Sequence, residues 1–268
     1  MTPEIITSHD NSLLRMARSI RDGKTTEFIF VEGLRLCEEA LRSALSVEAV
    51  IVSQELAAKE KSAPLIKEII ARGRRAVLVG EKLLESISYT KTPQGIIVLA
   101  SRPETSEQHF AANQDDALIV IMHRINNPVN VGAILRTAEA AGATGAIATQ
   151  NTADPFSPKA LRGAMGSAFR LPVWFGPTYD EAISWCSRHH AQTVCADVHA
   201  RTSYDEVDWR RRSALILGPE SSGLAAEEVN AATTAVRIPM RGAAESLNVA
   251  VASGVLLYEA SRQRRTRQ

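Results

Sequence analysis

Three short stretches in the C-terminal half of the chain carry the residue types that could act on a bound ligand. The first is Asn126-Asn127-Pro128-Val129-Asn130-Val131-Gly132, running on to Arg136. Asn130 is expected to cap a helix and Gly132 to keep its first turn bare, with Arg136 one turn further on. Free backbone N–H groups at a helix start, with an arginine leaning over them, suit a phosphate. The everyday alternative for Arg136 is an i,i+3 surface pair with Glu139, worth roughly a few tenths of a kcal/mol. The second stretch is Gly218-Pro219-Glu220-Ser221-Ser222-Gly223-Leu224, directly after the apolar run Leu215-Ile216-Leu217. Its glycines let backbone approach a ligand while Glu220 accepts hydrogen bonds; by itself it also reads as a plain strand-to-helix turn. The third is Ile238-Pro239-Met240 followed by Glu245-Ser246-Leu247-Asn248 and a helix rich in small residues (Ala250, Ala252, Ser253, Gly254). Ser253-Gly254 inside a helix gives up helix propensity, which suits close approach of another backbone or a ligand. Glu245, Ser246 and Asn248 sit at the mouth of that helix, where unpaired N–H groups need partners. A capped, closely packed core helix would look the same.

The elements that must position these loops are legible from periodicity. A basic amphipathic helix is expected from about Asn11 to Ile20, ended by Asp22-Gly23. Strands follow at Phe28–Val31, Val47–Val52, Ala76–Val79 and Gly95–Ala100, with helices carrying Leu34 to Leu41, Pro64–Ala71 and Glu81–Ser86 between them. This alternation predicts a small α/β domain over residues 1–103. The polar segment 104–115 has no apolar periodicity and is expected to be a linker. A second α/β series fills 116–268. Its strands are expected at Ala117–Met122, Gly145–Ala148, Pro172–Phe175, Thr193–Ala196, Ala214–Leu217 and Ala235–Ile238. Its helices are expected at Asn130–Ala141, Pro158 to about Phe169, Tyr179–His189 and Ala225–Ala231, before the last one. All three candidate stretches follow an apolar strand, where open α/β sheets place their ligands. No G-x-G-x-x-G follows any predicted strand, so a dinucleotide site of that kind has no support.

Composition narrows the function classes. Residues of the apolar class make up 45% and charged residues 23% of 268, ordinary for a globular protein with a sizeable core. No apolar run reaches membrane-spanning length, and the polar stretch Met1 to Asn11 does not read as a signal peptide. Cys37, Cys186 and Cys195 are odd in number and show no C-x-x-C spacing, so reduced thiols and a cytoplasmic location are expected. No His/Cys/Asp cluster with metal-ligand spacing appears, and no metal is expected. The net charge of +1 gives no global basic field. Basic clusters do occur at Arg15, Arg18, Arg21 and Lys24; at Arg72, Arg74 and Arg75; at Arg210 to Arg212; and at Arg262, Arg264, Arg265 and Arg267. Each is compatible with a solvated face, and together they permit an RNA partner.

Taken in order, the loops form a specific pattern: Asn-x-Gly-x-x-x-Arg-x-Ala-x-Ala, then Gly-x-Glu-x-x-Gly-Leu, then Ile-Pro-Met and Ser-Leu-Asn-Val-x-x-Ala. This pattern, from about Ala117 to Gln263, resembles the SpoU/TrmH-type RNA ribose 2′-O-methyltransferases of the SPOUT superfamily. Phe30-Val31-Glu32-Gly33-x-Arg35 and Pro93-Gln94-Gly95 look like that family's N-terminal substrate-binding domain, which is similar to a ribosomal protein. The resemblance implies a small RNA-binding domain ahead of a trefoil-knotted α/β methyltransferase domain, one of the exceptions to unknotted chains. It implies S-adenosyl-L-methionine as cofactor, lined by Gly218, Ile238 and Leu247 with Met240 as a neighbour, and a homodimer with the active site near the subunit interface. It implies Arg136 as the catalytic arginine, supported by Asn130, Glu220, Ser246 and Asn248. Because an arginine stays protonated in proteins, a clamp on the target's 3′ phosphate is the preferred role over that of a base.

The chain departs from the family where Asn127-Pro128 replaces the usual Asp-Pro, and where Gly163-Ala164-Met165-Gly166-Ser167 stands in place of a Ser-rich turn. The expected activity is methylation of structured RNA, with ribosomal RNA favoured because minimal tRNA-modifying relatives often lack the first domain. The alternatives are a tRNA substrate, a non-catalytic RNA-binding assembly factor of the same fold and, least favoured, a small-molecule methyltransferase.

Overall fold

The computed structural model describes residues 3–59, 63–110 and 117–265. The chain divides into two compact units: 1–103 together with 156–170, and 104–155 together with 171–268. Among the described residues no helix is long and apolar enough to cross a membrane.

The first unit is built on a mixed sheet with the strand order β1-β4-β3-β5-β2. Its strands are β1 (Glu4–Ile6), β2 (Phe28–Glu32), β3 (Val47–Ser53), β4 (Arg75–Val79) and β5 (Ile96–Ser101). The helices are α1 (Ser12–Arg21), α2 (Leu34–Arg42), α3 (Gln54–Ala57), α4 (Ala63–Arg72) and α5 (Glu81–Ile87). β3, β4 and β1 pair in parallel, whereas β5 runs antiparallel to both β2 and β3. Strand β1 was not expected from sequence. It is three residues long and adds to the edge beside β4, and only Ile6 of its residues is buried, so it has no periodicity to read. α1 lays Leu13, Leu14, Ala17 and Ile20 on the sheet, the face that its spacing predicts. Its basic residues are not all solvated: Arg18 donates to the carbonyl of His9 and Arg21 to those of Ser86 and Ser88.

The second unit holds a seven-stranded sheet in which every pairing is parallel, with the order β10-β12-β9-β11-β6-β7-β8. Its strands are β6 (Leu118–Met122), β7 (Gly145–Ala148), β8 (Val173–Phe175), β9 (Gln192–Ala196), β10 (Thr202–Ser203), β11 (Ser213–Leu217) and β12 (Thr234–Arg237). α6 (Pro128–Ala140), α9 (Tyr179–Arg188), α10 (Ala226–Ala231) and α11 (Val249–Arg265) complete it. The central strands β6, β7 and β11 are buried at every position, which explains why they read as unbroken apolar runs and not as alternation. α11 packs along α6, and a Cβ placed on Gly254 would stand 3.7 Å from the Thr137 methyl. The small residues of α11 thus meet a neighbouring helix; Ser253 is fully buried and returns its hydroxyl to the Ala250 carbonyl.

Two segments differ from the sequence expectation. Within the stretch expected to be a linker, Phe110 is buried against Trp174 and Trp185, and a Cβ on Gly145 would lie 2.5 Å from its ring. That part of the stretch belongs to the second unit's core because one aromatic anchor outweighs an otherwise polar composition; 111–115 lie outside the described residues. The single helix expected from Pro158 is two, α7 (Pro158–Ala164) and α8 (Ser167–Arg170). Met165 and Gly166 between them take left-handed φ values of +50° and +96°. This segment groups with the first unit, where Gly166 lies against the Glu39 side chain, Arg170 pairs with Glu39, and Arg102 stacks 4.9 Å over the Phe156 ring.

Gly95, in the Pro-Gln-Gly turn, adopts φ +86°, and a Cβ there would lie 2.8 Å from both Leu56 Cβ and Ser53 Oγ. Gly95→Ala is expected to lower stability by about 1–3 kcal/mol through crowding and backbone strain, read as a drop in the denaturation midpoint at unchanged m-value.

Candidate functional site

The three loops singled out in the sequence leave the C-terminal ends of parallel strands: 123–127 after β6, 218–225 after β11 and 238–248 after β12. Parallel strands of one sheet point their C-terminal ends the same way, so all three loops emerge at one edge, the ligand edge of such sheets.

Glu220 ties them together. Its Oε1 accepts a hydrogen bond from Asn130 Nδ2 at 2.7 Å and another from Asn248 Nδ2 at 2.7 Å. Asn248 Nδ2 also lies 3.4 Å from Asn130 Oδ1. Hydrogen bonds to a carboxylate are the stronger kind, about 1.5–3 kcal/mol when sheltered; Glu220 is exposed, so the lower end applies. The residues are far apart in sequence, by 90 positions for Asn130 and 28 for Asn248.

Asn130 does not cap α6 as the sequence suggested. The cap is Asn127, whose side chain accepts from Val129 N at 3.0 Å, with Pro128 opening the helix. The replacement of the family's Asp by Asn at this position keeps that role, because both side chains offer the same acceptor oxygen. Asn130 therefore lies inside the first turn, buried, with its amide free to reach Glu220. Asn248 does two jobs: Oδ1 accepts from Ala250 N at 3.0 Å at the start of α11, while Nδ2 reaches Glu220.

Gly218 sits under Leu224, and a Cβ there would lie 2.8 Å from Leu224 Cγ and 3.0 Å from its backbone N, so only glycine lets the loop fold back. Ile238 is half-buried, whereas Met240 and Leu247 are 37% and 36% exposed on the third loop. Exposed apolar side chains beside a hydrogen-bonded polar cluster, at the ligand edge of a parallel sheet, fit a small molecule with apolar and polar parts. S-adenosylmethionine is of that kind. Arg136 is exposed on α6 and Ser246 is exposed ahead of α11; neither is hydrogen-bonded to another described residue.

A second cluster at the same edge escaped the sequence reading. His123, directly after β6, places Nδ1 2.9 Å from Thr149 Oγ1 and Nε2 3.0 Å from Glu228 Oε1. An ionised carboxylate can only accept, which puts the ring proton on Nε2 and leaves Nδ1 to accept from the threonine hydroxyl. Arg124 takes a left-handed φ of +52° and donates to both oxygens of Glu228, at 2.7 and 2.8 Å. Glu228 Oε2 also accepts from Ala225 N, and the Tyr179 hydroxyl donates to the Glu228 carbonyl. The cluster pins the residues just before the Asn126–Gly132 loop to the helix just after the Gly218–Leu224 loop. A gap of 105 positions between His123 and Glu228 leaves no spacing signal in the sequence.

Electrostatics sets the pH response of this cluster. Burial pushes the His123 imidazole below its usual value of 6.5, a tendency that Glu228 only partly offsets. Burial acts to raise the Glu228 carboxyl. The Ala225 N–H, the His123 hydrogen bond and the nearby charges outweigh it and hold the group below its usual 4.5. A depressed histidine binds its proton more readily in the unfolded chain, so its contribution falls as pH drops below about 6.5. The depressed carboxylate adds a second loss as pH falls below about 4.5. The melting temperature is therefore expected to decline from pH 7 to pH 5, and His123→Gln is expected to flatten that decline; a slope unchanged by His123→Gln would refute the assignment.

Comparison with known proteins agrees with this geometry. Residues 117–258 match the model of the SpoU rRNA Methylase family, and residues 14–98 match the MRM3-like substrate binding domain. The chain is similar to the 23S rRNA (guanosine(2553)-2′-O)-methyltransferase RlmP of Bacillus subtilis, 30% identical over 88% of this chain and 88% of the relative. The structure is similar to an AdoMet-bound rRNA methyltransferase from Sinorhizobium meliloti, with a TM-score of 0.83, 30% identity and coverage of 97% of each chain. It is also similar to the SpoU methyltransferase AviRb from Streptomyces viridochromogenes in complex with AdoMet, with a TM-score of 0.86, 25% identity and coverage of 96% and 99%. With its C-terminal signature loops meeting at one sheet edge, and a substrate-binding domain preceding them in sequence, the chain belongs to the SpoU rRNA methylase family.

Proposed function

We propose that this protein methylates the 2′-oxygen of a ribose in ribosomal RNA, in the large-subunit RNA, using S-adenosyl-L-methionine. The observation that carries the reading is the meeting of Asn130, Glu220 and Asn248 across three loops at the ligand edge of a parallel sheet. Similarity to a 23S rRNA enzyme over 88% of the chain, with the substrate-binding region included, favours ribosomal RNA over tRNA.

S-adenosylmethionine supplies the methyl group, as an electrophilic sulfonium. The residues that would hold it are Gly218, Ile238, Met240 and Leu247: Gly218 by leaving its loop backbone bare, and the others by covering apolar surface. Glu220, fixed by the two asparagines, keeps those loops in register. The acceptor oxygen must be aligned with the methyl group and must lose its proton. Arg136, exposed and uncommitted, grips the phosphate 3′ to the target ribose through its planar fork. A non-bridging oxygen of that phosphate, oriented by Arg136, would take the 2′ proton. Ser246, exposed at the mouth of α11, is assigned to the substrate side of the same pocket.

The reading includes a homodimer. Val251, Val255 and Tyr258 repeat at helical spacing along one side of α11; Val251 and Tyr258 are 53% and 52% exposed, and Val129 at the start of α6 is exposed as well. An apolar stripe of this kind calls for a partner. A second copy covering it would bring its own surface to the edge that carries Arg136. Work on ribosomal RNA and buried, reduced thiols both fit a cytoplasmic location; burial pushes Cys186 up to about 12 and Cys195 up to about 11.

Arg136→Ala is expected to bind S-adenosylmethionine with unchanged affinity by calorimetry while methyl incorporation into unmodified 23S rRNA falls at least a hundredfold; near-normal turnover would defeat the role of Arg136. Incorporation into bulk tRNA alone, with none into rRNA, would instead establish the tRNA alternative. A Val251→Asp, Tyr258→Asp double variant is expected to run as a monomer in size-exclusion chromatography with light scattering, against a dimeric parent.

A further inference from the structure

The first unit contains a second carboxylate hub, and what it holds in place is an exposed aromatic ring. Glu32, at the end of β2, is buried to 7% exposure, yet it forms no ion pair with any described residue. Its oxygens instead accept from Tyr89 N at 2.8 Å, from Thr90 N at 3.3 and 3.4 Å, and from the Thr90 hydroxyl. From the other side, the guanidinium of Arg21 donates to the carbonyls of Ser86 and Ser88, at 3.2 and 3.3 Å. Ser88 closes the turn by returning its hydroxyl to Leu84 O. An anion therefore holds the loop's N–H groups and a cation its carbonyls, and the backbone of four residues, Ser86, Ser88, Tyr89 and Thr90, is fixed by charge-assisted bonds.

The same turn continues into Gln94, whose side-chain oxygen accepts from Leu34 N at 2.9 Å and fixes the start of α2 beside the loop. At the tip of this braced loop, Tyr89 leaves its ring 42% exposed. Lys91, two residues on, and Arg35, in the first turn of α2, are exposed and form no ion pair with another described residue. Burying Glu32 with no countercharge costs desolvation energy, which the loop's N–H groups offset. The product of that expense is a rigid backbone under an aromatic ring that faces water, an arrangement that core packing does not require.

We propose that Tyr89 is a stacking platform for an unpaired nucleotide of the RNA substrate, with Arg35 and Lys91 holding the adjoining phosphates. The proposal rests on the reading of this protein as an RNA methyltransferase and names where its first unit holds the RNA. Single-stranded RNA is bound by aromatic faces beside basic side chains, and a platform already ordered before binding loses little entropy on contact. Glu32 and Arg21 act as positioning residues for the ring.

The test measures affinity for an unmodified 23S rRNA transcript by filter binding, with S-adenosylmethionine affinity and melting temperature as controls. Tyr89→Ala and Tyr89→Leu are expected to weaken RNA binding roughly tenfold, and Tyr89→Phe to leave it within twofold, since each base–aromatic stack is worth ~1–3 kcal/mol. Cofactor affinity and melting temperature are expected to stay at the parent values, which loss of a packing residue would not allow. Lys91→Ala is expected to reduce the slope of log affinity against log salt by about 0.7, one phosphate contact on a single strand. RNA affinity of Tyr89→Leu within twofold of the parent, or an equal loss in Tyr89→Phe, would overturn the proposal. Methyl incorporation into the same transcript tests the underlying reading separately: none by the parent enzyme would defeat the rRNA assignment and leave the comparison of Tyr89 variants standing as a binding result.

Discussion

A single carboxylate organises the candidate site. Glu220 lies in a loop after β11, and the two amides it accepts come from α6 and from the start of α11. Each partner is already committed elsewhere: Asn130 is fixed in the first turn of a capped helix, and Asn248 caps α11 with its other atom. The carboxylate thus adds little freedom to be lost when the loops meet, and the geometry of the site is inherited from the sheet and the two helix starts. Gly218 is part of the same constraint, since a side chain there would strike Leu224 and open the turn that presents Glu220.

The His123–Arg124–Glu228 cluster works one layer behind. It joins the segment before α6 to the helix following the Glu220 loop, so that two of the three loops are tied twice, once by the exposed hub and once by the sheltered one. The sheltered cluster also accounts for the left-handed backbone at Arg124, a conformation that an arginine keeps only where its contacts over-determine it. In the first unit Glu32 does for the loop at Tyr89 what Glu220 does for the second unit's loops: it satisfies several donors with one anion. In both units a carboxylate satisfies donors from an exposed loop, Glu220 in the second and Glu32 in the first.

Much of the fold was readable because the physics that forms it is local. Fully buried parallel strands read as apolar runs at Leu118–Met122 and Ser213–Leu217, and α1 shows its buried face in the spacing of Leu13, Leu14, Ala17 and Ile20. What escaped was set by contacts distant in sequence or by a local backbone turn. β1 exists through its pairing with β4, 104–110 is retained by the Phe110 ring together with the Thr105 carbonyl and the Glu107–Arg188 ion pair, and the helix from Pro158 breaks where Met165 and Gly166 turn left-handed. Several arginines that read as solvated charge are structural: Arg21 braces the Tyr89 loop, and Arg264 donates to the carbonyls of Trp209, Arg211 and Ala117.

By itself the sequence determined the family and the α/β class, because motif order and strand periodicity are written along the chain. Only the tertiary structure decided what the residues of the motif loops do to one another. It made Asn127 the cap and freed Asn130 for Glu220, and it joined His123 to Glu228 across 105 positions. It also put Tyr89 on a loop braced by Arg21 and Glu32. Hydrogen bonds between such distant residues depend on strand order and register, which periodicity does not encode; the partners of a polar side chain are settled only once the sheet brings them within about 3 Å.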